Sequence, residues 1–323
     1  MDRNDRAITT FMMLGHGMFH TYELVIPIFV GIWLEVFSTT PAILGVVVGA
    51  SYGLIGIGAL PAGILSDRFS AKRLVTVCML GMGGGFLVVG VAPNLIGLSL
   101  GLLIWGVAAS IYHPAGLSLI SRGANARGMA FAYHGAAGNL SVAVGPLLGA
   151  LLLMVFPWRT VALLLVVPAI VAVAVTGRLQ FDETAAADPE PPSAGGPNAS
   201  GTIPGFVSNS RVLFASGFVF VFVIGNLYGL YYRGAFTFLP KILAELPLFE
   251  PVAVAGQAFD PSQYVYSGLL VLGGVGQYVG GKLVEQYRAE HVLITEIQGE
   301  SLALQRGDES GMTFDKPQDR AHP

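Results

Sequence analysis

Charge is what this sequence has least of. Only 11% of its 323 residues are Asp, Glu, Lys or Arg, against 53% that are hydrophobic. A soluble domain carries about 25% charged residues, so this protein cannot clothe itself in a water-solvated surface. Cysteine is nearly absent as well. The one residue, Cys78, sits in an apolar run, forms no intrachain disulfide and reads as a small buried hydrophobe. Basic excess is also missing: net charge is −3, and no basic stripe points to a nucleic-acid partner. What is present in abundance is long apolar runs and 43 glycines, with a mean hydropathy of +0.66.

Runs of this length make lipid the solvent. In lipid the backbone must satisfy its own hydrogen bonds, which leaves a helix bundle or a closed barrel. The runs are too long and too continuously apolar for alternating barrel strands. Glycine suits close helix packing. The fold class is therefore an all-α integral membrane protein. The segment Met1-Asp2-Arg3-Asn4-Asp5-Arg6 before the first run has a faint signal-peptide character. The run that follows carries His16, His20 and Glu23 and has no small-residue cleavage site close by, so it reads as a retained first span.

Six spans are expected at about 8–34, 41–65, 74–92, 95–120, 128–156 and 160–176. From about 180 to 209 the composition turns to acids, prolines, glycines and serines, which cannot bury a core and read as a flexible linker. Two further spans follow at about 212–239 and 264–284, separated by a mixed loop with Pro247, Pro251 and Pro261. The domains are then 1–178 for a six-helix half, 179–210 for the linker, 211–287 for a partial second half of two helices, and 288–323 for a polar tail. Asn198-Ala199-Ser200 matches a glycosylation sequon within the linker. Basic residues set the orientation. Arg3, Arg6, Arg68, Lys72, Arg73, Arg122, Arg127, Arg178, Arg211 and Arg288 fall on one side, and only Arg159 and Lys241 on the other. Both termini and the linker are expected in the cytoplasm of a multi-pass protein of the cell membrane.

Between the second and third spans lies Gly63-Ile64-Leu65-Ser66-Asp67-Arg68-Phe69-Ser70-Ala71-Lys72-Arg73. Gly63 lets two helices approach closely, Asp67 can complement a neighbouring helix dipole, and Arg68, Lys72 and Arg73 can pair with acids or lipid headgroups. The same charges also serve as a plain positive-inside anchor. This Gly-x-x-x-Asp-Arg pattern, with Lys72 and Arg73 after it, resembles the signature loop of the major facilitator superfamily of secondary transporters. Ser70 and Ala71 stand where the family has a glycine and a basic residue. Gly145-Pro146-Leu147-Leu148-Gly149 resembles the core of a motif frequent in the family's exporters, with Ser141 in place of an upstream glycine. Tyr112-His113-Pro114, Gly138-Asn139 and Gly145-Pro146 together resemble the fosmidomycin-resistance branch.

The resemblance covers about residues 8–287. It implies a transporter and not an enzyme: two bundled halves, a central site, alternating access, proton-coupled efflux of small organic solutes, and no cofactor. Gly63, Asp67, Arg68, Lys72 and Arg73 would gate the conformational change, the acid latching onto a helix late in the second half. The expectation is about eight spans, six plus two of a second half, which reads as truncation at the C-terminal end. A homo-oligomer or a separate second half would complete it. The alternative is an inactive or partner-dependent fragment. A glycine followed four residues later by an acid recurs at Gly281 to Glu285, and Pro27 has a counterpart in Pro240, as faint echoes between halves.

Ionisable groups inside spans cost about 2.5–3.5 kcal/mol each, so they are functional candidates. His16, His20 and Glu23 share one face of the first span at i, i+4 and i+7. Glu23 could hold a proton or pair with His20. That spacing could also ligate a metal, which is the basis of a third reading as a metal-dependent membrane enzyme. No other span offers a matching ligand pair, and no metal is expected. His113, beside Tyr112 and before the helix-breaking Pro114, and His134, with Gly138 and Asn139 one turn on, could line a common cavity with the first span. Arg233, after Tyr231-Tyr232, could bind an anionic substrate group, pair with Glu23, or snorkel to an interface. Asn226, Tyr228, Gln277 and Tyr278 add polar surface.

Overall fold

The first four helices of this protein start after short polar caps. The computed structural model describes residues 1–187, 217–249, 252–254 and 257–286. The linker from residue 188, its sequon and the tail lie outside the described residues, as do the side chains of Asn226, Gln277 and Tyr278. The helices are α1 (Arg3–Val36), α2 (Pro41–Arg68), α3 (Ala71–Val91), α4 (Leu95–Ala109), α5 (Tyr112–Gly123), α6 (Arg127–Leu153), α7 (Trp158–Leu164), α8 (Val166–Gly177), α9 (Phe218–Ala244) and α10 (Pro261–Gln286). Asp2 caps α1 in a reciprocal box with Asp5. Thr40 precedes Pro41 at the first turn of α2, and Ser70 and Asn94 cap α3 and α4. Six helical stretches among the described residues, all between Arg3 and Gly177, are long and apolar enough to cross a bilayer.

Two of those stretches are broken where a continuous span was expected. Pro114 has no N–H for the carbonyl of Ser110, and the backbone turns at Ser110-Ile111 between α4 and α5. Pro168 likewise leaves the carbonyl of Leu164 without its donor, and α7 gives way to α8 at Leu165. The Tyr22 hydroxyl donates to the Leu165 carbonyl at 2.6 Å, so the exposed backbone of this break is met from α1. The loop after α9 holds a 3-10 turn, Pro247–Phe249, and two three-residue strands, Val252–Val254 and Gln257–Phe259. They pair antiparallel, with Val252 opposite Phe259 and Val254 opposite Gln257.

Met1–Ser267 forms one compact unit, and the described part of the second unit, Gly268–Pro323, is helical to Gln286. In the first unit α1 is the central helix. Two thirds (67%) of its most apolar window is buried, against 17% for α2. It packs along α6 and also meets α3, α5, α8 and α9, while α3 packs against α4, α7 and α8. Small residues permit these crossings. A Cβ on Gly145 would come within 2.8 Å of the Thr21 backbone, and one on Gly149 within 2.5 Å of Val25, so Gly145, Pro146 and Gly149 set the α1–α6 contact. The tightest backbone approach joins α4 to α2, where a Cβ on Gly106 would fall 2.3 Å from the Ser51 carbonyl oxygen.

Gly63 departs from its expected role. A Cβ there would meet nothing within 4 Å among the described residues, while Ala62 and Ser66 on either side of it are buried. Asp67 and Arg73 are exposed, and Asp67 forms no ion pair with a described residue. The working contacts of this loop belong to its neighbours. Ser70 Oγ donates to Glu183 Oε1 at 2.5 Å, and Lys72 Nζ donates to the Leu179 carbonyl at 2.5 Å. Arg122 reaches the Ser66 carbonyl at 3.0 Å, and Ala186 donates to the Arg122 carbonyl at 2.9 Å. Residues 180–187, taken from sequence as the start of a free linker, thus fold back over this basic end. Phe181 packs on Phe11 with ring centres 5.5 Å apart and the planes tilted by 53°. Asp182 accepts from the N–H and hydroxyl of Thr184, which holds its carboxyl below the usual range.

Substituting Gly106→Val should lower the Tm of the detergent-solubilised protein, since the added atoms collide with backbone and cost about 1–3 kcal/mol. Gly84→Ala, at a helical position with nothing within 4 Å, should leave Tm unchanged or raise it. Removing the α3 cap by Ser70→Ala should cost about 1 kcal/mol.

Candidate functional site

The 3.6-residue period puts His16, His20 and Glu23 on one face of α1, and the tertiary structure supplies what surrounds them. His16 is buried between α5 and α6. Its Nδ1 donates to the backbone carbonyl of His134 at 2.7 Å. Its ring stacks on the His134 ring at 3.8 Å with 6° between planes, and on Tyr112 at 5.6 Å with 10°. Gly138 is required here, because a Cβ would sit 2.4 Å from the His16 ring. Tyr112 is itself fully buried, and its hydroxyl donates to the Met12 carbonyl at 2.8 Å. His113 meets His16 edge-on at 5.4 Å and Phe19 at 4.7 Å.

One turn further along α1, His20 bridges the cluster to an acid. Its Nε2 lies 3.1 Å from His16 Nε2, and its Nδ1 lies 2.7 Å from Glu23 Oε2. Glu23 is 1% exposed. A carboxylate this buried is tolerated only with partners. Its second oxygen, Oε1, lies 2.5 Å from Arg233 Nη2 on α9. That contact is an ion pair whose angles fall outside those of an aligned hydrogen bond. Of the three roles open to Arg233, the structure places it in this pair. The guanidinium also lies 5.2 Å from the Tyr52 ring and 5.7 Å from the Tyr232 ring, a cation–π arrangement. Tyr52 in turn donates to the backbone carbonyl of Glu23 at 2.7 Å.

The result is a polar series, His134 carbonyl–His16–His20–Glu23–Arg233, running from α6 through α1 to α9. A change of charge on its one carboxylate would alter what holds α1 to α9. Asn139 does not join it. His134 and Gly138, four residues apart, face α1, and Asn139 is rotated about 100° onto the exposed side of α6. Gly63, Asp67, Arg68, Lys72 and Arg73 stand apart from the cluster at the basic end of the bundle, while Gly145, Pro146 and Gly149 pack α6 onto α1. Sequence reasoning missed Tyr52, and also Tyr266, which is fully buried with its hydroxyl unpartnered. The available signal for Tyr52 was its place as the one aromatic residue of α2; Tyr266 is one of three tyrosines on α10, and nothing in the sequence sets it apart.

Replacing Glu23 by Gln strands the Arg233 charge and should destabilise the protein by on the order of 3 kcal/mol. The double substitution Glu23→Gln with Arg233→Gln should recover much of that loss. A thermal melt in detergent, followed as a double-mutant cycle, measures both.

Known proteins share the family pattern and the fold of this chain. The family model of the Major Facilitator Superfamily aligns with residues 8–297. The puromycin resistance protein pur8 of Streptomyces alboniger is 36% identical over 110 residues, which is 33% of this chain and 21% of that protein. A triacylglyceride transporter of Mycolicibacterium smegmatis is 29% identical over 158 residues, 46% of this chain and 27% of that protein. Among solved structures, an inward-facing, unoccupied bacterial homologue of the human lysosomal transporter Spinster superposes with a TM-score of 0.67 at 14% identity. That superposition covers 88% of this chain and 63% of the homologue, so the chain spans less than two thirds of its relative's length. The fold is shared with that structure, the family model runs from α1 through α10, and the chain belongs to the Major Facilitator Superfamily of multi-pass membrane transporters.

Proposed function

We propose that this protein is a secondary active transporter that exports small organic solutes across the cell membrane in exchange for protons, by alternating access. Both termini and the linker lie in the cytoplasm in this reading, which rests on the distribution of basic residues. Residues 1–178 form one half, 179–210 the linker and 211–287 a partial second half of two spans, giving about eight spans in all. The relative named for puromycin resistance supports efflux of small organic compounds.

The observation that carries the reading is the Glu23–Arg233 pair. Glu23 is on α1, before the linker, and Arg233 is on α9, after it. When Glu23 is ionised, the pair holds the two sides together. When Glu23 takes a proton, the attraction is lost and Arg233 is freed for an anionic or polar group of the substrate. Tyr112, His113 and His134 pack around His16 beside the pair, and Tyr52 with Tyr232 hold Arg233 in place between cycles. Gly63, Asp67, Arg68, Lys72 and Arg73 form the gating loop in this proposal.

Reconstituted in proteoliposomes under an imposed pH gradient, the protein should drive flux of at least one member of a panel that includes puromycin. Absence of gradient-driven flux for every compound, from protein shown to be folded, overturns the reading. Glu23→Gln should abolish gradient-driven flux while leaving gradient-independent exchange. Retention of gradient-driven flux in that variant would remove Glu23 from the coupling role.

A further inference from the structure

We propose that His16, His20 and His113 bind one divalent transition-metal ion of the zinc class through their ring nitrogens. No metal was expected because no other span offers a matching ligand pair; a single histidine from a second helix is enough. The fold supplies it, because α5 brings His113 beside α1. The ligating atoms of the three rings all lie within 4.8 Å of one another.

The hydrogen bonds behind these rings select the tautomer that a metal needs. His16 Nδ1 faces a backbone carbonyl, which can only accept, so Nδ1 carries the proton. His20 Nδ1 faces one oxygen of the Glu23 carboxylate, whose other oxygen pairs with Arg233, and as a carboxylate it also only accepts. Both Nε2 atoms therefore present lone pairs, yet they stand 3.1 Å apart, where two acceptors repel. A cation between them resolves the conflict. Metal-bound histidines ordinarily donate their other N–H to a carboxylate or a backbone carbonyl, and here one ring does each.

The spacing agrees. Zinc–nitrogen bonds of about 2.0–2.1 Å in a tetrahedron place ligand nitrogens roughly 3.3 Å apart. The His16–His20 pair already has close to that separation. His113 is half-buried and, among the described residues, meets His16 and Phe19 through its ring, so a side-chain rotation would close the remaining gap. Three protein ligands leave a fourth position open for water or for a solute group. The nearby described cation is Arg233, and it binds the oxygen of Glu23 that His20 does not, so the carboxylate screens it from the ion. Three neutral imidazoles with one carboxylate behind them suit Zn, Co or Ni better than Mg or Ca.

The test uses the full-length protein without an affinity tag, purified in detergent, stripped with chelator and titrated with Zn²⁺ near neutral pH. It is read by elemental analysis after desalting, so it does not depend on any transport activity. One ion per protein molecule is expected. His113→Asn should abolish stoichiometric binding while leaving the elution profile and helical content intact, and His113→Cys should restore it. His134→Asn should retain the ion, because that ring stacks on His16 without supplying a ligand atom and the backbone carbonyl that fixes the His16 tautomer is kept. Glu23→Gln should weaken binding roughly 10–100-fold. With Co²⁺ in place of Zn²⁺, the wild type should show the intense visible absorption of a tetrahedral site. No bound ion, binding that survives His113→Asn, or equal losses in the His113 and His134 variants would each overturn the assignment.

Discussion

A carboxylate buried in a lipid-solvated bundle is the constraint on which this structure depends. Glu23 is almost wholly removed from solvent, and leaving it without partners would cost several kcal/mol. Three elements meet that cost from three directions. His20 holds one oxygen from the same helix, Arg233 holds the other from α9, and Tyr52 on α2 ties down the backbone carbonyl. Arg233 is in turn a cation that could not remain inside the bundle without Glu23 and the phenol rings of Tyr52 and Tyr232. The pair is therefore mutually enforcing, and its one contact joins helices that lie far apart in sequence.

Everything else about α1 follows from its position at the centre of the unit. Its apolar side chains are packed by α3, α6 and α8, while its polar face turns to α5 and α9. Glycines on α6 bring that helix close enough for the His134 carbonyl to reach His16. The helix breaks at Ser110 and Leu165 expose backbone carbonyls that lipid cannot solvate. Tyr22, also on α1, answers one of these breaks. One helix thus carries both the structural and the chemical burden, which is why its face mixes large hydrophobes with the densest group of ionisable residues in the described bundle.

The basic end is built differently. Its contacts run between side chains and backbone carbonyls at water-exposed termini. Residues 180–187 bind the ends of α1, α3 and α5 through Asn4, Ser70 and Arg122, and Lys72 on α3 reaches the carbonyl of Leu179 just before them. Ser70, where the family pattern has a glycine, both caps α3 and anchors Glu183. The departure from the family pattern has a structural use, and Asp67 is left facing outward.

Composition and local periodicity determined the solvent, the helical class, the positions of the early spans and the shared face of His16, His20 and Glu23. These are properties of a single segment and of the 3.6-residue turn. The loop from Gly63 to Arg73 and the Gly145 to Gly149 segment were enough to bring the family into view. Only the tertiary structure decided which helices meet. It placed His113 and the His134 carbonyl against His16, chose Glu23 as the counter-ion of Arg233, added Tyr52, turned Asn139 outward and left Gly63 without a close neighbour. Those outcomes depend on the rotation and axial register of each helix against the others. Register is set by the sum of many packing contacts across the whole unit, and no single stretch of sequence encodes it.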